Sequence, residues 1–284
     1  MTKEETRELE RIAQRIRLGI VKSIAAAGSG HPGGSLSVAD ITATLYFKEM
    51  RIDSKNPTWP ERDRFVMSKG HAAPALYATL AEAGFIDKEE LATLRKFGSR
   101  LQGHPSMRHV PGVEMSTGSL GQGLSAANGM AIAARLDKRP TRVYVIIGDG
   151  ESQEGQIWEA SMTSVHHKLD NLMVFLDYNG LQIDGRVTDV KSFTEPAARW
   201  RAFGWHVLEI DGHDIQAIHA ACEEARATKG KPTMAVAHTI KGKGVPFMEN
   251  IADWHGKAPS REQAEDAISY LEASFQDSRK TSET

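Results

Sequence analysis

Cysteine is almost absent. Cys222 stands alone in 284 residues, so no internal disulfide can form, and no metal-ligand pattern surrounds it. A lone thiol of this kind fits a reducing, cytoplasmic setting. Also missing is any apolar run of about eighteen residues, the length a membrane span needs, and the first residues lead straight into amphipathic sequence rather than a signal core. The chain is expected to be neither exported nor membrane-spanning. Neither sign of charge is in excess: 35 Lys and Arg face 37 Asp and Glu, and no basic block could track a phosphate backbone, so nucleic acid is not an expected partner. What is present, 40% hydrophobic and 25% charged residues, belongs to an ordinary globular chain and excludes disorder, collagen and coiled coil.

From Arg7 to Ala27, Leu9, Ile12, Ala13, Ile16, Ile20 and Ile24 recur at three- and four-residue steps and predict one helix, ended by Gly28-Ser29-Gly30. Ser37 with Asp40 predicts a capped second helix, and Asp87 with Glu90 a third running toward Phe97. Further on, Val143-Tyr144-Val145-Ile146-Ile147 reads as a buried strand, with similar runs at 172–176, 206–210 and 233–237. Helical stretches near 153–168, 195–203 and 214–228 separate them. Strands alternating with helices predict an α/β fold: a mostly parallel sheet with helices on both faces. No repeat or linker divides the chain, so one domain over 1–270 with a helical N-terminal flank is expected, followed by a polar tail over 271–284 that frays from Gln276.

Gly28-Ser29-Gly30-His31-Pro32-Gly33 satisfies the dinucleotide fingerprint, and Asp53 lies near the offset of a ribose-binding acid. That motif must follow a strand, whereas this one follows a helix, and Pro32 lacks the backbone donor a pyrophosphate needs. A strand before Gly28 would revive a nicotinamide-dependent oxidoreductase. Gly148-Asp149-Gly150, ending the best strand, is a stronger signal, because parallel sheets bind ligands beyond their strand ends. One helix and one strand later comes Asp177-Tyr178-Asn179-Gly180, so Asp149 and Asn179 are expected at neighbouring strand ends. Oxygen ligands suit a hard cation such as Mg²⁺, completed by a main-chain carbonyl, diphosphate and water. A helix starting near Gln153 would turn its positive end to the anion. Taken singly, each motif is an ordinary strand-ending turn; the spacing of the pair argues otherwise.

Gly148-Asp149-Gly150 with Asn179 resembles the thiamine diphosphate signature. Ser29-Gly30-His31-Pro32-Gly33, Ser68-Lys69-Gly70-His71, Gly103-His104-Pro105, Ser116–Gly123 and Trp254-His255-Gly256 resemble transketolase motifs in transketolase order. The resemblance implies that Asp149, Asn179 and the carbonyl of Leu181 hold Mg²⁺, or Ca²⁺ or Mn²⁺ in its place. It implies that His71, Gly118, Ser119, Leu120, Gly150, Asn179 and His255 contact thiamine diphosphate, and that His31, His104 and His255 face the donor sugar. Their ordinary pKa near 6.5 would let them relay protons as a carbonyl becomes an alkoxide. Glu154, given a cofactor role, and Glu159 resemble acids at the interface between two cofactor sites. Tyr178 and Ser119 depart from the family pattern, and Lys241-Gly242-Lys243-Gly244 offers a basic turn within reach of the diphosphate. His109, His166, His167, His206, His213, His219 and His238 match no motif and are taken as structural.

The implied activity is transfer of a two-carbon ketol unit from a ketose phosphate to an aldose phosphate in carbohydrate metabolism, with the pentose phosphate pathway as the expected setting. Such chemistry needs a buried carboxylate against the cofactor's aminopyrimidine, which family transketolases supply from a second α/β domain. The chain ends before such a domain could begin. The expectation is therefore the N-terminal subunit of a split transketolase, completed by a C-terminal subunit that carries the pyrimidine-binding domain and catalytic glutamate, as an α2β2 heterotetramer. Another thiamine diphosphate enzyme is an alternative, either a specialised sugar-phosphate transketolase or one like deoxyxylulose-phosphate synthase. A non-catalytic interaction subunit would have lost the cofactor residues, and Asp149 and Asn179 are intact.

Overall fold

The long apolar runs become the centre of a sheet because both faces of each are covered. The structure is a computed structural model that describes residues 1–183 and 185–280, the last six without their side chains. Its strands are β1 (Arg64–Met67), β2 (Val143–Gly148), β3 (Leu172–Tyr178), a hairpin of β4 (Leu181–Gln182) and β5 (Gly185–Arg186), then β6 (His206–Asp211) and β7 (Thr233–His238). Five of them form one parallel sheet in the order β1-β2-β3-β7-β6. Tyr144, Ile146, Met173 and Phe175 pack into one core; Val143, Val145, Ile147, Leu172 and Val174 alternate into the other. The edge strand β6 is more polar, and Glu209 and Asp211 stand exposed on it.

The helices are α1 (Lys3–Ala27), α2 (Pro32–Leu36), α3 (Ala39–Thr44), α4 (Ala73–Glu82) and α5 (Gln122–Leu136). They continue with α6 (Gly155–His166), α7 (Val187–Lys191), α8 (Pro196–Ala202), α9 (Ile215–Ala227) and α10 (Arg261–Lys280). Helices α1, α3, α4 and α9 cover one face of the sheet, and α5, α6 and α8 the other. Helix α1 starts four residues before the expected Arg7, at a Thr2–Glu5 capping box, and stops at Gly28 in the left-handed conformation (φ 61). A helix, not a strand, therefore precedes the Gly28–Gly33 motif, and the nicotinamide alternative lacks its required context. No helix among the described residues is long and apolar enough to cross a membrane.

Three local expectations need correction. Ser37 caps no helix start: its hydroxyl is buried and donates to the Asp177 carboxylate at 2.8 Å, while Asp40 is held by Arg17 and His213. The Asp87–Glu90 capping box is present but opens only a 3₁₀ turn, Lys88–Thr93, that ends before Phe97. The domain boundary expected at 270 falls within α10, whose Leu271 is buried and whose Leu271 carbonyl accepts from Gln14 of α1 at 2.8 Å. Residues 281–284 of the expected frayed tail lie outside the described residues.

Register is what builds the site. Met67 pairs with Ile146, Gly148 with Asp177, and Tyr178 with His238, so β1, β2, β3 and β7 end along a common rim. The segments that follow them, 68–71, 149–150, 179–181 and 239–241, converge there.

Candidate active site

The floor of the cleft is a buried ion pair. Asp177 is wholly buried, and its carboxylate accepts from Lys69 Nζ at 2.5 Å, Ser37 Oγ at 2.8 Å, Asn179 Nδ2 at 3.0 Å and the Thr239 hydroxyl. Burial alone would raise its pKa; the Lys69 ammonium, together with the hydroxyls of Thr239 and Ser37, outweighs that and holds it below the usual carboxylate range. Lys69, also buried, donates to the Gly34 carbonyl at 2.6 Å and so pins the start of α2 to the strand ends. Beside it, buried Glu151 accepts from Ser68 Oγ, Gly121 N–H at 3.0 Å and Gly148 N–H at 3.0 Å. That ties the 116–123 loop to the end of β2.

Above this floor lies a cleft of ≈ 220 Å³ lined by Asp149, Asn179, Leu181, Lys241, His71 and His255 among others. Asp149 is buried, and its two oxygens accept main-chain N–H groups of Gly150 at 2.8 Å and Gly180 at 2.7 Å. Burial, with the Asp177 charge second, pushes its pKa up to about 7. Asn179 Oδ1 accepts from Leu181 N–H at 3.1 Å, and the Leu181 carbonyl accepts from Lys241 Nζ at 3.4 Å. The Lys241 ammonium is buried too and lies 3.1 Å from His255 Nδ1; burial brings its pKa down to about 8 against the pull of Asp149. Lys241 thus reaches the cleft, whereas Lys243 does not line it. Helix α6 begins at Gly155, after a short 3₁₀ turn at Glu151–Gln153.

Four histidines from four separate segments meet over the cleft. Ring centroids are 5.3 Å apart for His31–His71, 5.5 Å for His31–His255, 5.0 Å for His71–His255 and 6.4 Å for His31–His104. Burial, joined by Arg95, lowers His31 to about 4; burial, joined by Lys241, lowers His255 to about 3. His71 and His104 are depressed as well, again chiefly by burial. The expectation of imidazoles near 6.5 is therefore corrected: all four are neutral at neutral pH. Because the folded pKa values lie below the unfolded 6.5, the unfolded chain takes up protons first. The four rings thus contribute stability that is lost as pH falls from about 6.5 toward about 4, while Asp149, raised to about 7, acts in the opposite direction over the same range. Thermal melts at neutral and mildly acid pH check this, with His31→Gln flattening the dependence.

The remaining expected residues are more dispersed. Gly150 and Leu120 line the cleft, Gly118 lies under the His104 ring, and Ser119 is exposed outside it. Glu154 sits exposed at the rim, and Glu159 one turn further on in a groove between α5 and α6. Of the histidines taken as structural, His213 is bound into the protein: its Nδ1 lies 2.7 Å from Asp40, and its Nε2 accepts Ile240 N–H at 2.9 Å, one residue before Lys241.

The family model described as transketolase, thiamine diphosphate binding domain, matches residues 9–274. The chain belongs to the transketolase family. It is 48% identical over 269 residues to the 6-deoxy-6-sulfo-D-fructose transketolase subunit SqwG of Clostridium sp. (strain MSTE9), covering 95% of this chain and 98% of that one. To an apulose-4-phosphate transketolase subunit of Phocaeicola vulgatus it is 47% identical, covering 93% of each. Human transketolase is 41% identical, with 98% of this chain matched to 44% of that one. A crystal structure of Pichia stipitis transketolase with sedoheptulose 7-phosphate superposes with a TM-score of 0.86 at 34% identity, covering 97% of this chain and 45% of that one. The α/β fold is thus the transketolase thiamine diphosphate-binding fold, and this chain spans under half the length of the transketolase in that crystal structure.

Within this transketolase domain, sequence reasoning missed Asp177, Lys69, Glu151 and Ser37 as parts of the site. A charged residue at the end of a fully apolar strand was the available signal for Asp177, since a buried carboxylate must find a counter-charge. Its partners lie 108 and 140 residues away in sequence, beyond any local pattern.

Proposed function

We propose that this chain is the diphosphate-binding subunit of a split transketolase that moves a two-carbon ketol unit from a ketose phosphate to an aldose phosphate. It would use thiamine diphosphate and Mg²⁺, with a C-terminal partner subunit supplying the pyrimidine-binding domain and catalytic glutamate in a cytoplasmic α2β2 assembly. The observation that carries this is Asp149 and Asn179 at adjoining strand ends beneath four neutral imidazoles. Two relatives named as subunits, matched over 98% and 93% of their own length, support the two-chain arrangement.

The donor set fits a divalent ion. Asp149 is a buried carboxylate whose only hydrogen bonds among the described residues are to main-chain N–H groups, so no side chain in direct contact matches its charge. Asn179 Oδ1 and the Leu181 carbonyl each accept one bond and keep a second lone pair. Among the described residues no three His, Cys, Asp or Glu side chains gather for a metal, so the set would be one carboxylate and neutral oxygens. That suits a hard cation that keeps diphosphate oxygens and water as further ligands. Lys241 adds a positive charge on the same side.

When bound, thiamine diphosphate supplies the electron sink that lets a bond beside a carbonyl break. The chain's own residues hold and orient. His31 Nδ1 is buried without a hydrogen-bond partner among the described residues, an unmet polar atom inside the histidine cluster. Neutral imidazoles at His31, His104 and His255 would donate N–H to ketose oxygens as charge develops on them. Lys241, against His255 Nδ1, orients that ring and places a cation beside it.

The test is turnover of ketose phosphate and aldose phosphate by the chain alone, by the partner alone and by the pair. Activity is expected only in the pair and only with thiamine diphosphate and a divalent ion. Robust turnover by this chain alone sinks the split arrangement; a pair inert toward a panel of sugar phosphates sinks the transketolase activity. A sulfonated deoxy-sugar and apulose 4-phosphate belong in that panel, because two relatives carry those names.

A further inference from the structure

Arg95 is a guanidinium with no acidic partner among the described residues. It is half-buried next to the histidine cluster, and among the described residues no carboxylate pairs with it; its side-chain hydrogen bond runs from Nη1 to Ser29 Oγ at 2.8 Å. Its backbone is left-handed (φ 58), a conformation that costs a non-glycine residue energy and persists only where its surroundings impose it. They do so here, because Arg95 N–H donates to the Leu101 carbonyl at 2.8 Å and closes a tight loop ahead of Gly103-His104.

The guanidinium lies flat on Gly103. A Cβ built there would fall 2.8 Å from both Cζ and Nε and 2.9 Å from Nη2, three near-equal distances that set the plane face-on to the backbone. Gly103 does not have a left-handed backbone, so glycine is required here for space rather than for conformation. Around the same turn, Tyr77 Oη lies 3.0 Å from the Gln102 carbonyl and 3.1 Å from the His104 carbonyl. Tyr77 thus fixes the 102–104 turn to α4, and Arg95 links that turn to Ser29, two residues before His31.

We propose that Arg95 is a positioning residue that ties the turn bearing His31 to the turn bearing His104 and so sets the separation of two sugar-facing imidazoles. The geometry stands on its own; the kinetic consequence rests on the ketol-transfer activity proposed above. Its charge acts in the same direction, since Arg95 adds to burial in keeping both rings neutral.

The experiment uses the assembled two-subunit enzyme. Arg95→Met is expected to lower kcat/KM on the order of tenfold to a hundredfold, mostly through kcat, with thiamine diphosphate affinity unchanged. Gly103→Ala tests the same link without touching the arginine, because the new methyl must push the guanidinium aside. The double variant is expected to be no worse than the poorer single one. Arg95→Lys, which keeps the charge but lacks the planar fork that lies on Gly103, should fall between wild type and Met.

Multiplicative losses in the double variant, unchanged kinetics in both singles, or a matching loss of cofactor affinity would each overturn the proposal. If Arg95→Met does not fold, Gly103→Ala decides alone. Should the wild-type pair turn over no sugar phosphate, histidine-selective NMR still decides. The ring signals of His31 and His104 are expected to shift in Gly103→Ala while that of His71 holds, and a uniform response of all three refutes the link.

Discussion

Replacing Asp149 with Ala is expected to abolish Mg²⁺-dependent binding of thiamine diphosphate to the assembled complex, a loss of at least about a hundredfold in affinity. Two effects combine. The carboxylate is the one anionic oxygen donor in the proposed metal set, and it also accepts the N–H groups of Gly150 and Gly180, which would be left buried and unpaired. Asp149→Asn separates them: it can still accept from one of these groups but removes the charge, so cofactor affinity should fall nearly as far while stability falls less. Calorimetric titration with and without Mg²⁺ is the measurement, and undiminished affinity in Asp149→Ala would remove this residue from the metal site.

Lys69→Met is expected to produce the largest stability change, about 3–5 kcal/mol, because it strands a fully buried carboxylate. Ser37, Asn179 and Thr239 would still donate to Asp177, but hydrogen bonds without a counter-charge do not offset its burial. A compensating change checks the cause. Lys69→Met combined with Asp177→Asn removes both charges and should recover most of the loss. Urea unfolding of the three variants is sufficient; a single-variant effect below about 1 kcal/mol would show that the ion pair is not what holds the cleft floor.

The parts of this molecule legible in its sequence are those with one strong local cause. β2, β3 and β7 are apolar runs buried on both faces, and α1 carries an unbroken apolar stripe with clear terminators. The missed elements have mixed causes. β1 is four residues long and begins with Arg64, which pairs with Glu114. α4 is rich in Ala and buried almost all round, and α5 is rich in Ala and Gly, so neither shows a clear apolar period in its sequence. Ser37 looked like a cap because Ser favours caps; a carboxylate 140 residues distant claimed its hydroxyl instead.

The site divides in the same way. Asp149, Asn179 and the four histidines sit in compact motifs whose side-chain chemistry is visible in the letters. The residues that hold them, Lys69, Asp177, Glu151 and Arg95, are set by register between strands and by close backbone contacts, which only the folded chain reveals.

Neutrality of the four imidazoles has one more consequence. Uncharged rings sort ligands by where hydroxyl groups sit, and they are indifferent to whether the distant end of a sugar carries phosphate, sulfonate or nothing. With the rings facing the donor sugar as proposed above, this side of the cavity would recognise the stereochemistry of the carbons being cut and joined, and discrimination between anionic tails would fall to groups outside the histidine cluster, whose replacement would retarget the enzyme without rebuilding its cutting edge.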